Sequence, residues 1–545
     1  MKNSFRYILA ATAILALQGM DARVKLPAIL TDGMVVQRGE PVRLWGTAEP
    51  GESITAKVNM KKSKEVKAVA DSLGRWELEL PALKAGGPYV INVNDITLSD
   101  VLSGDVFLCS GQSNMELPVR RVTDMFADEI AAYENPSIRQ YVVPQTTAFH
   151  GPQDDTAPSS WRPCTQDNVM NFSALAYFFA KEVNAATGVP VGIVNASWGG
   201  TPVEAWMSEE SMTEWPVLLA KKKVYEDDGY RSRIKKLEGE NFARWNAVLY
   251  ATDPGRQASV QWNDPALDDS DWTEVDLLES AWGQDLKSGR NVNGSHWLRR
   301  HITLNASQAA GAATLRLGCF EGADSAFVNG TFVGTVGYQY PPRIYKVPEG
   351  VLREGDNVVT VRGISSGGRP QFVLEKPYKM IFADGSEMSL EGTWRHRVGA
   401  RMPSGPGMQF YHYTPVVLYN SMIAPLFRVP VAGALWYQGE SNVGSRREYA
   451  RQLTAMIADW RKGFGRPDMP FYIIELADFL HQSDSSGRRA WAEMRAEQAK
   501  VAEQVPNASL VRNSDLGEWN DIHPLDKKTL GRRAAEAVLP SLLKK

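Results

Sequence analysis

Apolar positions alternate with polar ones near the amino end, merge into continuous runs, alternate again through a long middle stretch, and merge once more toward the carboxyl end. From Lys25 to about Thr97 the short alternating segments 42–46, 53–58, 75–80 and 89–93, with the brief run 34–37, are divided by Gly-Glu-Pro and Glu-Pro-Gly-Glu turns. Strands at this spacing predict a small immunoglobulin-like β-sandwich. From about Leu102 the runs 106–109 and 190–195 are continuously apolar, as in strands buried on both faces. The Ala- and Phe-rich stretch 171–186 between them predicts a helix. Strand alternating with helix predicts a doubly wound α/β domain with a parallel sheet. Residues 209–247, including Lys221, Lys222 and Lys223 followed by acids, read as charged helix with a solvated face.

Between about Thr252 and Gly392 period two returns, in 297–304, 313–317, 325–333 and 357–362. A second, jelly-roll-like β-sandwich inserted in the α/β domain is expected there. Asn329-Gly330 suits a hairpin turn with positive φ at both central positions. From Tyr413 the α/β pattern resumes, with strands 433–437 and 470–475 and a final helix after Leu525.

Composition narrows the function classes. A chain of 545 residues is expected to hold about three or four domains. With 43% hydrophobic and 23% charged residues it has ordinary globular composition. The formal net charge of -3 argues against a nucleic-acid partner, which would need a basic face. Sixteen Trp and eighteen Tyr offer stacking surface for sugar rings. Lys2 and Arg6, an apolar stretch over 7–17 and small or polar residues through Ala22 match a secretory signal peptide. That stretch falls short of the roughly 20 residues needed to span a bilayer, so no membrane insertion is expected and the product is periplasmic or secreted. Cys109, Cys164 and Cys319 allow at most one internal bridge and show no zinc spacing. The expected organisation is a signal peptide (1–22), an amino-terminal sandwich (23–100), the first part of the α/β domain (101–250), an inserted β-sandwich (251–395) and the second part of the α/β domain (396–545).

Acyl transfer by a nucleophile needs a hydroxyl, a base within reach and donors aimed at the developing oxyanion. Ser113 lies just beyond the apolar run 106–109, in the polar turn Ser110-Gly-Gln-Ser-Asn114, where α/β sheets build their sites. Of seven histidines, His523 stands in a loop before the last helix with Asp521 two residues upstream. His296, His301 and His396 fall in or beside the inserted region, and His150 and His481 lie in polar loops. Gln438, after the strand 433–437, has an amide to offer an oxyanion, and Gly199 and Gly200 let a backbone N–H approach substrate closely.

Four motifs, in order, carry a family resemblance: Gly-Gln-Ser-Asn-Met (111 to 115), Trp-Gly-Gly-Thr (198 to 201), Trp-Tyr-Gln-Gly-Glu-Ser-Asn (436 to 442) and Asp-Ile-His-Pro (521 to 524). With the β insertion, the chain resembles the sialate O-acetylesterase family of SGNH hydrolases, related to carbohydrate esterase family six. The resemblance implies an SGNH-type α/β domain with a galactose-binding-like insertion, and a serine esterase that removes acetyl groups from carbohydrate hydroxyls without metal or cofactor. By carry-over Ser113 is the nucleophile and His523 the base. The amides of Ser113 and of Gly200 or Gly199, with the Gln438 side chain, form the oxyanion hole. Gln112, Asn114, Trp198, Glu440 and Asn442 are the expected substrate contacts. Many SGNH hydrolases place the acid three residues before the histidine, where this chain has Asn520. Asp521 is then the third triad member, or the site is a Ser-His dyad with another orienter such as a backbone carbonyl. Substrates consistent with this reading are O-acetylated sialic acids, or acetylxylan and related polysaccharides. From another class, a non-catalytic carbohydrate-binding protein would use the two sandwiches and the aromatics. Nothing in the sequence excludes a homo-oligomer.

Overall fold

The computed structural model describes residues 24–61, 63–285 and 287–543. The expected signal peptide lies outside the described residues. Among them, seven strands build the sheet that matters for the site: β1 (Ile96–Gly111), β2 (Asn135–Val142), β3 (Trp161–Cys164), β4 (Val191–Ser197), β5 (Gly433–Tyr437), β6 (Phe471–Ile474) and β7 (Ala508–Val511). Their order is β7-β6-β5-β1-β4-β2-β3, with every neighbouring pair parallel except β2 and β3. Residues 101–111 of β1 and all of β4, β5 and β6 are buried. That burial on both faces accounts for their continuous apolar runs.

Four helices pack in two pairs: α1 (Ala174–Thr187) with α4 (Lys527–Leu542), and α2 (Tyr449–Gly463) with α3 (Ser485–Gln504). Ser173 caps α1 by accepting the Ala176 N–H at 3.2 Å, which starts that helix three residues later than its apolar pattern suggests. Asp526 caps α4 through the Thr529 N–H at 2.9 Å.

β2 breaks the apolar rule and escapes the pattern. Arg139 and Gln140 are buried within it, the first donating to the Gly33 carbonyl (2.8 Å) and pairing with Asp100 (3.0 Å). The Gln140 side-chain Oε1 accepts the Ser173 N–H at 2.9 Å. These are satisfied polar groups, so their burial is tolerated.

β1 is longer than its apolar run because its first half belongs to another sheet. There it pairs antiparallel with Gly86–Val93 and parallel with Val35–Gln37, and the sheet continues through Ser53–Val58 to Val66–Val69. A two-stranded sheet of Val42–Thr47 and Arg75–Leu80 stands apart from it. One hydrophobic cluster runs from Leu44 and Ile54 through to Phe107 and Trp436, so the amino-terminal strands share the core of the α/β sheet.

The middle of the chain forms a six-stranded and a four-stranded antiparallel sheet around a separate core that includes Leu298, Leu315, Phe320, Met380 and Trp394. The last strand of this region, Thr393–Arg401, runs beyond residue 395, and Trp245 and Leu249 of the helix Asp228–Thr252 pack against its Ala400. Ala323–Val328 and Thr331–Val336 pair across Asn329 (φ 48°) and Gly330 (φ 79°), the turn expected for Asn-Gly. Cys109, Cys164 and Cys319 are free and buried. No helix among the described residues is long and apolar enough to cross a membrane.

Candidate active site

Register sets the site. Gly111 of β1 is level with Ser197 of β4 on one side and with Tyr437 of β5 on the other. The turns that follow these strands therefore leave the sheet at one height, beside the strand where the order reverses, which is where open α/β sheets bind ligands. A Cβ on Gly111 would stand 2.0 Å from the Tyr437 carbonyl oxygen, so only glycine lets β1 and β5 close here. Ser113 then opens a one-turn helix, Ser113–Glu116.

His523 arrives from the loop before α4, and its Nε2 lies 2.9 Å from Ser113 Oγ. The imidazole is buried, with the Tyr340 ring edge-on at 5.2 Å. Burial, aided by the charges of Lys527 and Arg121, pulls it down to about 3 from its ordinary value. At neutral pH the ring is therefore uncharged and able to accept the serine proton.

The acid is where the sequence left two arrangements open, triad or dyad. Asp521 Oδ1 is 3.8 Å from His523 Nδ1, too far for a hydrogen bond. It accepts the backbone N–H of His523 at 2.9 Å instead, while Oδ2 takes Lys376 Nζ at 3.2 Å. An aspartate two residues upstream readily caps the local backbone in this way. His523 Nδ1 is left buried with no partner, so the structure brings together a Ser-His pair and holds the expected third member just out of range.

The oxyanion donors are also fewer than expected. The backbone N–H groups of Ser113 and Gly200 meet no protein acceptor among the described residues. Gly200 has φ 74°, and a Cβ there would lie 2.1 Å from the Tyr413 hydroxyl; its carbonyl is held by Ser441 Oγ at 2.8 Å. The Gly199 N–H is spent on Glu116 Oε2 at 2.6 Å. Gln438 is fully buried, and its Nε2 donates to Asn442 Oδ1 (2.7 Å), Thr201 O (3.1 Å) and Gln112 Oε1 (3.2 Å). In this geometry the amide ties three turns together from beneath and has no proton left for an oxyanion.

A cleft of about 1070 Å³ opens over Ser113 and His523. Of the expected substrate contacts, Gln112, Trp198 and Glu440 line it. Asn114 and Asn442 do not, because both are buried struts. Asn114 Nδ2 donates to Glu440 Oε1 (2.7 Å) and Ile522 O (2.9 Å), and its Oδ1 accepts from buried Lys527 Nζ (2.8 Å). Asn442 bonds Glu204, the Val203 N–H and Gln438. Burial raises the Glu440 carboxyl and pulls the Lys527 ammonium down to about 8.

The cleft walls contain residues that the sequence reading missed. Tyr338, Tyr340 and Pro341 come from the middle β region, and Phe410, His412 and Tyr413 from the segment that leads back to the α/β sheet. His412 stacks flat on Trp198, with centroids 4.4 Å apart. The Tyr-Gln-Tyr-Pro-Pro run at 338–342, aromatic and proline-rich in a loop, was the available signal.

Fold and geometry together define an α/β protein with a serine-histidine pair at the carboxyl edge of its parallel sheet. The chain belongs to the carbohydrate esterase, sialic acid-specific acetylesterase family, a family of carboxylic ester hydrolases, whose family model matches residues 103–250 and 403–540. The unmatched stretch between them contains the two antiparallel sheets. The sialate O-acetylesterase of Pongo abelii is 32% identical over 212 residues, and that of Homo sapiens 31% over 212 residues. Each alignment covers 34% of this chain and 39% of the relative, so the chain spans well under half the length of these relatives. The fold is similar to that of a carbohydrate acetylesterase from Xanthomonas citri, with TM-score 0.55 and 24% identity, covering 96% of this chain and 76% of that one.

Proposed function

We propose that this chain is a serine esterase that removes O-acetyl groups from carbohydrate, with O-acetylated sialic acids as its substrates. The observation that carries the reading is the 2.9 Å contact between Ser113 Oγ and the neutral His523 Nε2 at the floor of the cleft. His523 takes the serine proton as Oγ attacks the acetyl carbonyl, and the N–H groups of Ser113 and Gly200 receive the negative oxygen. The C–O bond to the sugar then breaks, and His523 returns its proton to the leaving sugar oxygen. Water, deprotonated by His523, attacks acetyl-Ser113; the bond from Oγ to the acetyl carbon breaks, His523 returns the proton to Oγ and acetate leaves.

The family membership and the names of the matched relatives support the choice of sugar. The reading includes export through the amino-terminal leader to a periplasmic or extracellular site. It also takes the amino-terminal strands as an immunoglobulin-like module and the inserted sheets as a galactose-binding-like one. Trp198 and the aromatic wall suit the faces of a sugar ring. The test is acetate release from O-acetylated sialic acid and from acetylated xylan, with an aryl acetate as reporter. We expect preference for the sialic acid and loss of all three activities in Ser113→Ala. Near wild-type turnover of the aryl acetate by Ser113→Ala would overturn the mechanism, and preference for xylan would overturn the choice of sugar.

A further inference from the structure

The loop that carries His523 is gripped by three consecutive residues of the middle β region. The Leu374 carbonyl accepts from Asn520 Nδ2 at 2.7 Å, and Glu375 Oε2 accepts from Trp519 Nε1 at 2.8 Å. Lys376 Nζ donates to Glu518 Oε2 at 2.9 Å and to Asp521 Oδ2 at 3.2 Å. The Lys376 side chain is 12% exposed and that of Asp521 13%, so this ion pair is largely shielded from water and holds its geometry more firmly than a surface pair would. On the other side of the same carboxylate, Asp521 Oδ1 accepts the His523 backbone N–H at 2.9 Å, a bond it can keep while it turns, and faces the unpartnered His523 Nδ1 across 3.8 Å. Closing that gap by about 1 Å would bring the two within hydrogen-bond distance.

We propose that Lys376 is a positioning residue that holds Asp521 off the imidazole, so that the inserted β region sets whether the site works as a Ser-His pair or as a complete triad. The inference rests on the reading of Ser113 as nucleophile and His523 as base. Its physical core is competition for one carboxylate. The ammonium of Lys376 draws Asp521 toward the insertion, and the imidazole draws it toward the site once it gains positive charge. Around the imidazole and its acid stand Arg121 from the turn after the nucleophile, Lys527 from α4, Glu518 from the histidine loop, Glu440 bound to Asn114, and the side chains of Tyr340 and Cys319. Asp124, Arg316, Arg343 and Glu375 line the same cavity as Lys376 and Asp521. With Arg121 and Lys527 both positive, Asp521 is the acid placed to stabilise a charged imidazole if Lys376 lets it go.

The experiment is the pH profile of kcat/KM on an aryl acetate for wild type, K376M, K376R, D521N and the double variant K376M/D521N, with Tm recorded for each. In K376M the freed carboxylate closes on Nδ1, and the acid limb moves up by about one to three pH units, the size expected for an opposite charge at contact. K376R keeps the charge and the wild-type limb. The shift disappears when K376M is made in the D521N background. An acid limb unmoved in folded K376M overturns the proposal. So does a shift that persists without Asp521, since removal of a positive charge alone would then explain it. If K376M does not fold, K376Q is read in its place by the same criteria. Wild-type hydrolysis that survives Ser113→Ala would mark failure of the underlying esterase reading, whereas a dead Ser113→Ala with an unmoved K376M limb fails this inference alone.

Discussion

Gln438→Ala separates two roles that would look alike in a motif. As an oxyanion donor, its loss would lower kcat by about 10²- to 10³-fold with stability unchanged. The structure gives it a different task. Its amide has two protons, shared among Asn442 Oδ1 at 2.7 Å, Thr201 O at 3.1 Å and Gln112 Oε1 at 3.2 Å. Asn442 Oδ1 keeps the Val203 N–H, and Gln112 Oε1 keeps the N–H groups of Gly439 and Ser441. Two net hydrogen bonds are lost at about 1 kcal/mol each, with Thr201 O left short of a donor, so the variant should be destabilised by about 2 to 3 kcal/mol. Unfolding in urea, followed by tryptophan fluorescence, should show an earlier midpoint. The kcat on an aryl acetate, measured well below the midpoint, should fall less than about tenfold, since Gln112 beside Ser113 loses only one of its restraints. An unmoved midpoint with a hundredfold or larger fall in kcat would refute the strut assignment and return Gln438 to the oxyanion hole.

Gly200→Ala should lower kcat by about a hundredfold or more, because a side chain there collides with the Tyr413 hydroxyl and displaces the free N–H; unchanged kcat would remove Gly200 from the reaction. Acid should destabilise the inserted region through His296 and His396, whose rings meet at 3.2 Å and which burial pulls down to about 4 and about 3. Because the folded values lie below the ordinary 6.5, the unfolded chain takes protons first. The stability they contribute is full above about pH 6.5 and is lost as pH falls toward 4 and then 3. At about pH 4.5 each should cost on the order of 2 kcal/mol. The drop in Tm from neutral pH to about pH 4.5 should shrink in His396→Phe; an equal drop in that variant would show that the pair does not carry the effect.

The parts of the site that were legible are those fixed by local chain geometry. Ser113 follows a buried strand, Gly200 adopts a positive φ, and His523 stands in a loop before a capped helix. Each has a signature within a few residues. Strands β4, β5 and β6 were legible because burial on both faces forces an unbroken apolar run. β2 was not, because Arg139 and Gln140 are satisfied by partners from Gly33, Asp100 and Ser173, which are distant in sequence. Gln438, Asn114 and Asn442 sit in the right motifs, yet the direction of an amide depends on which acceptors surround it.

By itself, then, the sequence determined the α/β pattern, the order of the turns at one sheet edge, and the local settings of Ser113, Gly200 and His523. Periodicity and turn chemistry are properties of neighbours along the chain. Tertiary structure alone decided that Tyr340 walls the cleft, that Gln438 faces inward, and that Asp521 bonds Lys376 across the chain as well as the local backbone. The Tyr340, Gln438 and Lys376 contacts join segments more than a hundred residues apart, and a difference of an ångström decides which partner a side chain bonds.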